Sequence, residues 1–358
     1  MNITFQANRP QSINPLALHE RFRQIERDMF GTTNPMKIRG NVIPVTKSPI
    51  GTETNSMPVQ IQTTFNCLHD CSFCIEDATG KKYPTMLGDN KYVPFVNGIW
   101  DDLKNNGRKA DISITGGEPL LNFNRAKIVL DTIKARLDDV LRYGINTSGT
   151  PLRDERYIDL INEQFKTGKF HMNISRHHYD DDINAEIFRG ARPLSTDELQ
   201  KINEQFNGLV SLQLVLNKNG ICNKDEAKKY IDKFSNMGIK FITIRAMQDM
   251  DNIEGANPNK VKYSREAKKV NFQNIMEELD KDPDFQYIEQ VVGPYFDYEY
   301  YKYGDTTARF IFTDMTILDE VEKEYMAINN KASAPAHMII GNPYHTYGSW
   351  NYSNSQIS

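Results

Sequence analysis

The sequence predicts an α/β fold built around a parallel sheet. Two observations favour this class: short β-rich runs alternate with longer amphipathic runs, and six such units follow one another between residues 57 and 250. No internal repeat or low-complexity tract is evident, so a solenoid is not supported. Successive strand–helix–strand units give parallel sheets with right-handed crossovers. In such folds the chemistry gathers at the carboxyl ends of the strands, whether the sheet is open or closes into a barrel.

The amino-acid composition excludes several other classes. The 358 residues are 39% hydrophobic and 25% charged, which excludes a largely disordered chain. A net charge of −4 gives no electrostatic case for duplex nucleic acid or an anionic membrane. The first residues lack a basic segment followed by an apolar run, and no apolar stretch reaches the roughly 18 residues of a membrane span. Four cysteines do not indicate a disulfide framework in a chain of this length, so we expect a cytoplasmic protein.

Six strands are predicted in the central segment, with helices between them. Two of these helices are the clearest: Arg125–Leu137, and Lys224–Met237 with Gly238 as its C-cap. The predicted strands, in chain order, are Val59–Thr64, Asp111–Thr115, Val140–Asn146, Phe170–Ser175, Ser211–Leu216 and Lys240–Ala246.

The segments on either side of residues 57–250 follow a different pattern. Residues 1–56 are predicted to contain one amphipathic helix around Pro15–Met29 and a hairpin through Met36–Val45. We expect both flanks to be mixed helix and strand and to cap a central barrel. Residues 251–358 are predicted to contain a polar linker at Asp251–Tyr263, a helix near Arg265–Leu279 and three aromatic-rich β-like segments.

Three of the four cysteines stand in one loop. Cys67, Cys71 and Cys74 form a C-x3-C-x2-C pattern directly after the first predicted strand, so the loop lies at the carboxyl end of that strand. Thiolates are soft ligands that favour iron–sulfur clusters and zinc over magnesium or calcium. A zinc site needs a fourth ligand, which His69 inside the loop offers. An iron–sulfur cube held by three cysteines instead leaves one iron open to a substrate.

The cysteine pattern resembles the signature of the radical S-adenosylmethionine enzymes. In that family an aromatic residue precedes the third cysteine, as Phe73 does here, and a Gly-Gly-Glu motif follows the second strand, as Gly116, Gly117 and Glu118 do. The resemblance covers roughly residues 57–250 and is nearest to the group around the molybdenum-cofactor GTP cyclase and the peptide-maturing enzymes. It implies a partial (β/α)6 barrel, a 4Fe–4S cluster on the three loop cysteines, and adenosylmethionine bound to the fourth iron.

The resemblance also implies contacts to the bound adenosylmethionine. The two glycines let backbone groups approach the methionine moiety closely, and Glu118 accepts hydrogen bonds from its amino group. An oxygen-sensitive cluster and an electron donor such as flavodoxin or ferredoxin follow from the same resemblance. The other residues assigned by resemblance to the cofactor are Phe73, Thr147 in the INTSGT turn, Asn173, Ser175 and Met247.

A long segment after the fourth strand, residues 176–195, is the candidate specificity loop. Connections in such folds usually have roughly two to six residues, and loops at this face carry specificity. Arg176 and His178 are the best candidates for contact with the substrate, and His177, Tyr179 and Asp180 lie beside them. The alternative is a charged surface loop whose histidines and aspartates pair with one another or with water.

Two further residues are candidates at the carboxyl edge. Cys222 follows the fifth strand, where a thiol would give a hydrogen atom to a substrate radical, as in epimerases that resemble this family; the alternative is a packed thiol. Arg245 ends the sixth strand and suits a substrate carboxylate or phosphate, or alternatively an ion pair in the barrel wall. No cysteine follows Cys222 in the sequence, which argues against auxiliary clusters.

The resemblance thus predicts reductive cleavage of adenosylmethionine to a 5′-deoxyadenosyl radical that abstracts hydrogen from a small-molecule, nucleotide-like or peptide substrate. Two alternatives belong to other classes: a non-catalytic zinc-binding interaction protein, and a degenerate barrel that binds adenosylmethionine as a regulator. The intact cysteines and the Gly-Gly-Glu motif speak against the second alternative. The lack of further cysteines favours a redox-neutral reaction, or one that consumes adenosylmethionine for a simple abstraction.

Overall fold

One mixed sheet organises the part of the chain that the computed structural model describes, which is residues 42–44, 56–74, 93–94, 97, 100–101, 104, 109–247, 257–267, 270–292, 296–313 and 338–340. Its strands are β1 (Val42–Pro44), β2 (Ser56–Gln62), β3 (Lys109–Thr115), β4 (Val140–Thr147), β5 (Phe170–Ser175), β6 (Val210–Val215), β7 (Phe241–Arg245), β8 (Gln286–Val292), β9 (Phe296–Tyr303), β10 (Thr306–Thr313) and β11 (Met338–Ile340). Their order across the sheet is β1-β8-β9-β10-β7-β6-β5-β4-β3-β2-β11, and the sheet is open.

The six central strands run parallel and confirm the predicted fold class. Strands β2 to β7 pair in chain order, each with the next. All six predicted strands are present, and the fourth has the predicted bounds, Phe170–Ser175. Buried and half-buried residues alternate along this strand, and this alternation matches the apolar and polar residues that alternate in its sequence. The protein is therefore an α/β fold with an open parallel sheet of the partial-barrel type.

The connecting helices begin at polar side chains that cap them. Asn122, Asp154, Ser195 and Asn223 each accept a hydrogen bond from a backbone amide of the following helix. Ser195 also forms a capping box with Glu198. The helices with described bounds are α1 (Phe123–Lys134), α2 (Glu155–Phe165), α3 (Asp181–Phe188), α4 (Thr196–Gln205), α5 (Lys224–Asn236), α6 (Pro258–Ala267) and α7 (Phe272–Leu279).

The C-terminus of α5 confirms the predicted glycine cap. Gly238 has φ of +81°, a backbone conformation that side-chain-bearing residues rarely adopt. Its amide donates to the carbonyl of Ser235 at 2.9 Å, and the amide of Ile239 donates to the carbonyl of Phe234 at 3.0 Å. These two bonds are those of a Schellman motif, which satisfies the last carbonyl groups of the helix.

The segment 176–195 is not one long loop as predicted, because it contains α3. The Asp180 carboxylate caps this helix by accepting hydrogen bonds from the amides of Asp182 and Ile183 at 2.9 and 3.0 Å. The acidic run that suggested a surface loop is instead a cap followed by a first turn. Acidic residues are favourable there because the helix dipole is positive at its N-terminus.

The C-terminal segment also contains helix where irregular chain was expected. α6 begins at Pro258, inside the predicted linker Asp251–Tyr263, and proline suits the first turn of a helix. The single helix predicted near Arg265–Leu279 is two helices. Asn271 caps the second one by accepting a hydrogen bond from the amide of Asn274 at 2.9 Å.

The strands of the C-terminal segment continue the sheet beyond β7. β10 pairs in parallel with β7, while β9 pairs antiparallel with both β10 and β8. The predicted helix around Pro15–Met29 lies outside the described residues, and of the predicted hairpin through Met36–Val45 only β1 is described. The division into residues 1–56, 57–250 and 251–358, and the capping role of the flanks, stay predictions.

The central sheet has one apolar and one polar face. Residues such as Ile112, Ile145, Leu212, Ile244 and Phe310 belong to the apolar core, which the sheet shares with the buried sides of the helices. The alternate residues lie on the opposite face, here called the inner face. The inner face includes Ser113, Asn146, Asn173, Gln213, Thr243 and Arg245.

None of the helices in the described part of the chain has both the length and the apolar character that crossing a lipid bilayer requires.

Candidate active site at the carboxyl edge of the sheet

The cysteine loop, residues 63–74, follows β2 at the carboxyl edge of the sheet. Its three cysteines are free thiols; Cys67 is exposed, and Cys71 and Cys74 are half-buried. A backbone bridge joins His69 to Gly190 in the segment after α3. The loop is therefore fixed to the connection that follows β5.

The two glycines of the Gly-Gly-Glu turn pack directly against the cysteine loop. The amide of Gly117 donates to the Thr64 carbonyl at 2.7 Å, and the amide of Glu118 donates to the Asn66 carbonyl at 2.8 Å. A Cβ atom would overlap the Thr64 carbonyl oxygen at Gly116, which has φ of +134°, and the Asn66 carbonyl oxygen at Gly117. The close approach that requires glycine here is that of the loop backbone. The predicted approach of a methionine moiety to these glycines stays a prediction.

Glu118 is a buried carboxylate that ties the turn to the end of β4. Its residue is 1% exposed. Oε1 accepts hydrogen bonds from Thr147 Oγ1 at 2.6 Å and from the Leu120 amide at 3.2 Å, and Oε2 accepts from the amide and the hydroxyl of Ser148 at 2.8 and 2.6 Å. Burial raises the pKa of Glu118, and the hydrogen bonds from Ser148 and Thr147 oppose that rise. Binding of an ammonium group by Glu118, and of the cofactor by Thr147, stay predictions.

Asn173 and Ser175 belong to a row of polar contacts across the inner face. Asn173 Nδ2 donates to Asn146 Oδ1 at 3.0 Å, and Asn146 Nδ2 donates to Ser113 Oγ at 2.8 Å. Gln213 Nε2 donates to Ser175 Oγ at 3.2 Å. All five residues are half-buried, and their amides and hydroxyls have further donors and acceptors to offer. The inner face is thus suited to a polar ligand, and contact of Asn173 and Ser175 with the cofactor stays a prediction.

Phe73 packs on a buried histidine beneath the cysteine loop. The ring centroids of Phe73 and His177 are 4.8 Å apart in an edge-on arrangement, and the His177 ring is also 4.8 Å from that of Phe188. Burial lowers the pKa of His177 to about 3, so its imidazole is neutral. Its Nδ1 accepts a hydrogen bond from the Val215 amide at 3.2 Å, which assigns the proton to Nε2. The predicted contact of Phe73 with adenine stays a prediction.

Arg176 and His178, the strongest substrate candidates of the sequence, point into the helix layer. Arg176 is 2% exposed, donates to the carbonyls of His178 and Leu194 at 2.8 and 2.7 Å, and forms an ion pair with Asp181. His178 Nδ1 accepts a hydrogen bond from the Asp180 amide at 3.0 Å. Arg176 continues the buried, helix-facing positions of β5, whereas His177 continues the inner-face positions. Substrate contact by Arg176 and His178 stays a prediction. The placement of their side chains in the helix layer gives it no support.

Cys222 and Met247 both lie at carboxyl ends of strands. Cys222 is half-buried in the connection from β6 to α5, and Asn223 Nδ2 lies 3.7 Å from its sulfur. Met247 is half-buried two residues beyond β7. Their predicted roles, hydrogen-atom donation and adenine contact, stay predictions.

The donors of the cysteine loop fit an iron–sulfur cluster. Burial raises the pKa of the Cys71 thiol, and the nearby Cys74 and Cys67 sulfurs raise it further, whereas the Lys260 ammonium lowers it. Three soft sulfur donors in mutual electrostatic range are the ligand set that such clusters use. Within the described ranges no three His, Cys, Asp or Glu side chains gather around one point as a single metal ion requires. In a cuboidal cluster each cysteine binds a different iron, so its ligands do not converge on one point.

His69, the fourth ligand of the zinc alternative, is turned toward the turn that follows β4. Its Nε2 lies 3.2 Å from Thr150 Oγ1, and its ring packs on Phe188 with centroids 4.7 Å apart. Its Nδ1 is buried without a hydrogen-bond partner among the described residues. Burial lowers the pKa of His69, so the neutral imidazole is favoured at this position.

A lysine from the C-terminal segment anchors the cysteine loop. Lys260 on α6 is 4% exposed, and its ammonium donates to the carbonyl of Cys71 and to Asp70 Oδ1, the latter at 3.1 Å. The Asp70 side chain is largely exposed, so the hydrogen bond to the Cys71 carbonyl is the better shielded contact. The helix that carries Lys260 follows the last strand of the central segment and returns over the loop.

Replacing Lys260 with methionine should loosen the loop without changing its sulfur donors. Loss of a charge-assisted hydrogen bond to the Cys71 carbonyl costs about 1.5–3 kcal/mol, so we expect at least tenfold faster loss of iron to a chelator. Iron release from the reconstituted, oxygen-free protein measures this rate. The matched control is Lys262→Met, an exposed position on the same helix, which should leave the rate unchanged. Equal rates in both variants would contradict an anchoring role.

Two residues near the site escaped the sequence analysis. Lys260 lies in the segment predicted to be a linker, and its partner Cys71 is 189 residues away, so no local pattern could reveal the contact. Arg309 lies in one of the aromatic-rich β-like segments, for which no site residue was predicted. Its alternation with Ala308 and Phe310, both buried in the apolar core, is the signal that places it on the inner face.

The open parallel sheet, the cysteine loop and the Gly-Gly-Glu turn at its carboxyl edge agree with one family. The model of the Radical SAM superfamily matches residues 61–254, which is more than half of the chain, so the protein belongs to the Radical SAM superfamily. Enzymes of this class use a 4Fe–4S cluster and S-adenosylmethionine as cofactors and need an electron donor and a substrate. The protein is therefore an enzyme of the radical SAM class.

Particular relatives are similar to parts of the chain. The GTP 3′,8-cyclases of two Staphylococcus epidermidis strains are 29% identical to it over 213 residues, 57% of this chain and 57% of the relative. The chain thus spans about half the length of the curated relatives it matches. Streptococcus suis SuiB bound to S-adenosylmethionine is 15% identical with a TM-score of 0.43, covering 56% of this chain and 43% of SuiB. A radical SAM methyltransferase from Sphaerobacter thermophilus is 16% identical with a TM-score of 0.42, covering 61% of this chain and 64% of the methyltransferase.

Proposed function

We propose that the protein cleaves S-adenosylmethionine reductively and abstracts a hydrogen atom from a polar substrate held against the inner face of the sheet. The observation that carries this proposal is the packing of the three-cysteine loop onto the Gly116–Glu118 turn, at the carboxyl edge of a sheet whose inner face carries a row of polar side chains. When bound, the reduced cluster and adenosylmethionine supply a 5′-deoxyadenosyl radical. The cleavage would need one electron from a donor such as flavodoxin or ferredoxin and would release methionine.

The residues of the chain would share this work as follows. Cys67, Cys71 and Cys74 would hold the cluster, and the neighbouring turn would fix the loop that carries them. Asn173 and Ser175 offer hydrogen bonds to polar groups of the cofactor or substrate. The apolar core behind the sheet keeps water from the back of the site, which protects a reactive intermediate.

The identity of the substrate is a separate proposal. Similarity to GTP 3′,8-cyclases supports a nucleotide, and the polar inner face suits one. A peptide epimerase is the second candidate, because the free thiol of Cys222 lies at the carboxyl edge of the sheet, where a hydrogen atom donor would be needed. Free cysteines at the site also favour a location of the protein in the reducing cytoplasm.

Turnover of adenosylmethionine without added substrate tests the proposed function. Protein purified without oxygen and reconstituted with iron and sulfide should be brown, and with dithionite it should convert adenosylmethionine to 5′-deoxyadenosine and methionine. Chromatography of the nucleoside product measures this. A colourless protein that carries zinc would support the interaction-protein alternative. A fully loaded cluster with no 5′-deoxyadenosine above the protein-free control would overturn the proposal in favour of a regulatory binding role.

A further inference from the structure

Two arginines on neighbouring strands point to the same part of the inner face. Arg245 ends β7, and Arg309 on β10 lies opposite Thr243 in the parallel register of the two strands. Side chains alternate between the faces of a strand, so Thr243, Arg245 and Arg309 share one face. Their neighbours Ile244 and Phe310 belong to the apolar core on the other face.

Arg309 is held rigidly by its surroundings but is not neutralised by them. Its guanidinium lies 5.2 Å from the centre of the Phe241 ring and 5.4 Å from that of Tyr298, and Nη2 donates to Thr243 Oγ1 at 3.0 Å. Stacking on aromatic faces fixes the plane of the group. Its hydrogen-bond partners among the described residues are the uncharged hydroxyls of Thr243 and Tyr300, which do not balance its charge. Its Nε is buried and has no acceptor among the described residues.

Arg245 has even fewer partners. No hydrogen bond or ion pair joins its side chain to another residue in the described ranges. Burial lowers the pKa of Arg245, the charge of Arg309 lowers it further, and only the phenol of Tyr298 opposes them. A half-buried guanidinium next to another cation is unfavourable unless an anion completes the site.

The other charges of this region are already satisfied. Arg142 and Asp111 form a bidentate ion pair, with Nε to Oδ1 at 3.0 Å and Nη2 to Oδ2 at 2.9 Å. Burial lowers the pKa of His171 to about 4, so its ring is neutral near pH 7. Glu289 on β8 also belongs to this face by register, two strands from Arg309, and has a partner of its own. Within the described part of the chain, no carboxylate forms an ion pair with either arginine of the proposed site.

We propose that Arg245 and Arg309 bind an oxyanion, a phosphate or carboxylate group, of the substrate. This inference rests on the proposed function and names the chemical class of its substrate. Guanidinium groups bind both oxyanions through paired N–H donors. Arg245 lies at the carboxyl edge and Arg309 two positions deeper, so the anionic end of the substrate would lie in the interior and its reacting carbon would face the cysteine loop.

Binding of pyrophosphate and of succinate by the reconstituted full chain tests this site. Isothermal titration calorimetry at low salt should show pyrophosphate affinity reduced about tenfold in Arg245→Gln and in Arg309→Gln, since a charge-assisted hydrogen bond contributes enough for that change. The matched control is Arg192→Gln, an exposed arginine in an ion pair with Asp182, which should bind like the unmodified protein. Succinate in place of pyrophosphate distinguishes a carboxylate from a phosphate site.

Two outcomes would overturn the inference. In the first, the double variant R245Q/R309Q binds both anions as the unmodified protein does. In the second, Arg245→Gln lowers the affinity for adenosylmethionine, while the affinities for pyrophosphate and succinate are unchanged. That result would assign the arginine to the carboxylate of the cofactor. Formation of 5′-deoxyadenosine by the unmodified protein is scored separately, so failure of the anion site and failure of the proposed function give different results.

Discussion

Replacing Cys67, Cys71 and Cys74 together with alanine should abolish iron binding and, with it, all formation of 5′-deoxyadenosine. The three thiols are the sulfur donors of one loop, and thiolates are the protein ligands of such clusters. The variant should stay colourless after reconstitution and bind no iron above background. Iron analysis, visible absorption and product chromatography measure the three effects.

Cys222→Ala is the matched control for this triple variant. It removes the remaining thiol of the sequence but leaves the loop intact, so iron content and colour should equal those of the unmodified protein. If the triple variant bound as much iron as the control, or still formed 5′-deoxyadenosine under reducing, oxygen-free conditions, the assignment of the cluster to this loop would be wrong.

Replacing Gly117 with alanine should displace the cysteine loop, although the change adds one methyl group. The new Cβ would overlap the carbonyl oxygens of Asn66 and Phe65, which are backbone atoms that no rotamer change can move away. Overpacking of this kind costs about 3 kcal/mol of unfolding free energy. We expect a large drop in the urea midpoint and failure to retain iron, measured by denaturation and by metal analysis.

Gly168→Ala is the matched control, because it separates the effect of steric overlap with the cysteine loop from the general effect of replacing a glycine. Gly168 has φ of +70°, and a Cβ atom there would meet nothing within 4 Å, so only backbone strain of about 1–2 kcal/mol is expected. Iron retention should be normal in this variant. Equal losses of stability and of iron in both variants would refute a specific role for Gly117 in placing the loop.

The sequence was sufficient for the central sheet because the signal there is local. The β5 residues alternate between apolar and polar, and that period of two decides both the strand and its faces. Gly238 was predictable for the same reason, since a glycine after an amphipathic run is a common helix end. The cysteine loop and the Gly-Gly-Glu turn were located by motif and lie in contact, as their positions at the ends of adjacent strands required.

The site features that were not predicted from the sequence have two different causes: a local pattern that was not followed far enough, and a contact between distant segments. Arg176 and His177 are neighbours in the chain, yet one enters the helix layer and the other lies beneath the loop. Continuing the alternation of β5 by one or two residues would have separated them. Lys260 had no such signal, because its role comes only from the return of α6 over Cys71.

Expressing residues 61–254 alone would leave β7 at the border of the sheet. In the whole chain β10 supplies its neighbour through a run of parallel pairs from Phe241 to Arg245. Without that neighbour, the backbone amides and carbonyls along this edge of β7 would have no hydrogen-bond partners. Unpaired strand edges form hydrogen bonds with other chains and so promote aggregation. A fragment trimmed to the family match would therefore accumulate as insoluble material, and crystallisation or labelling work should start from the longer chain.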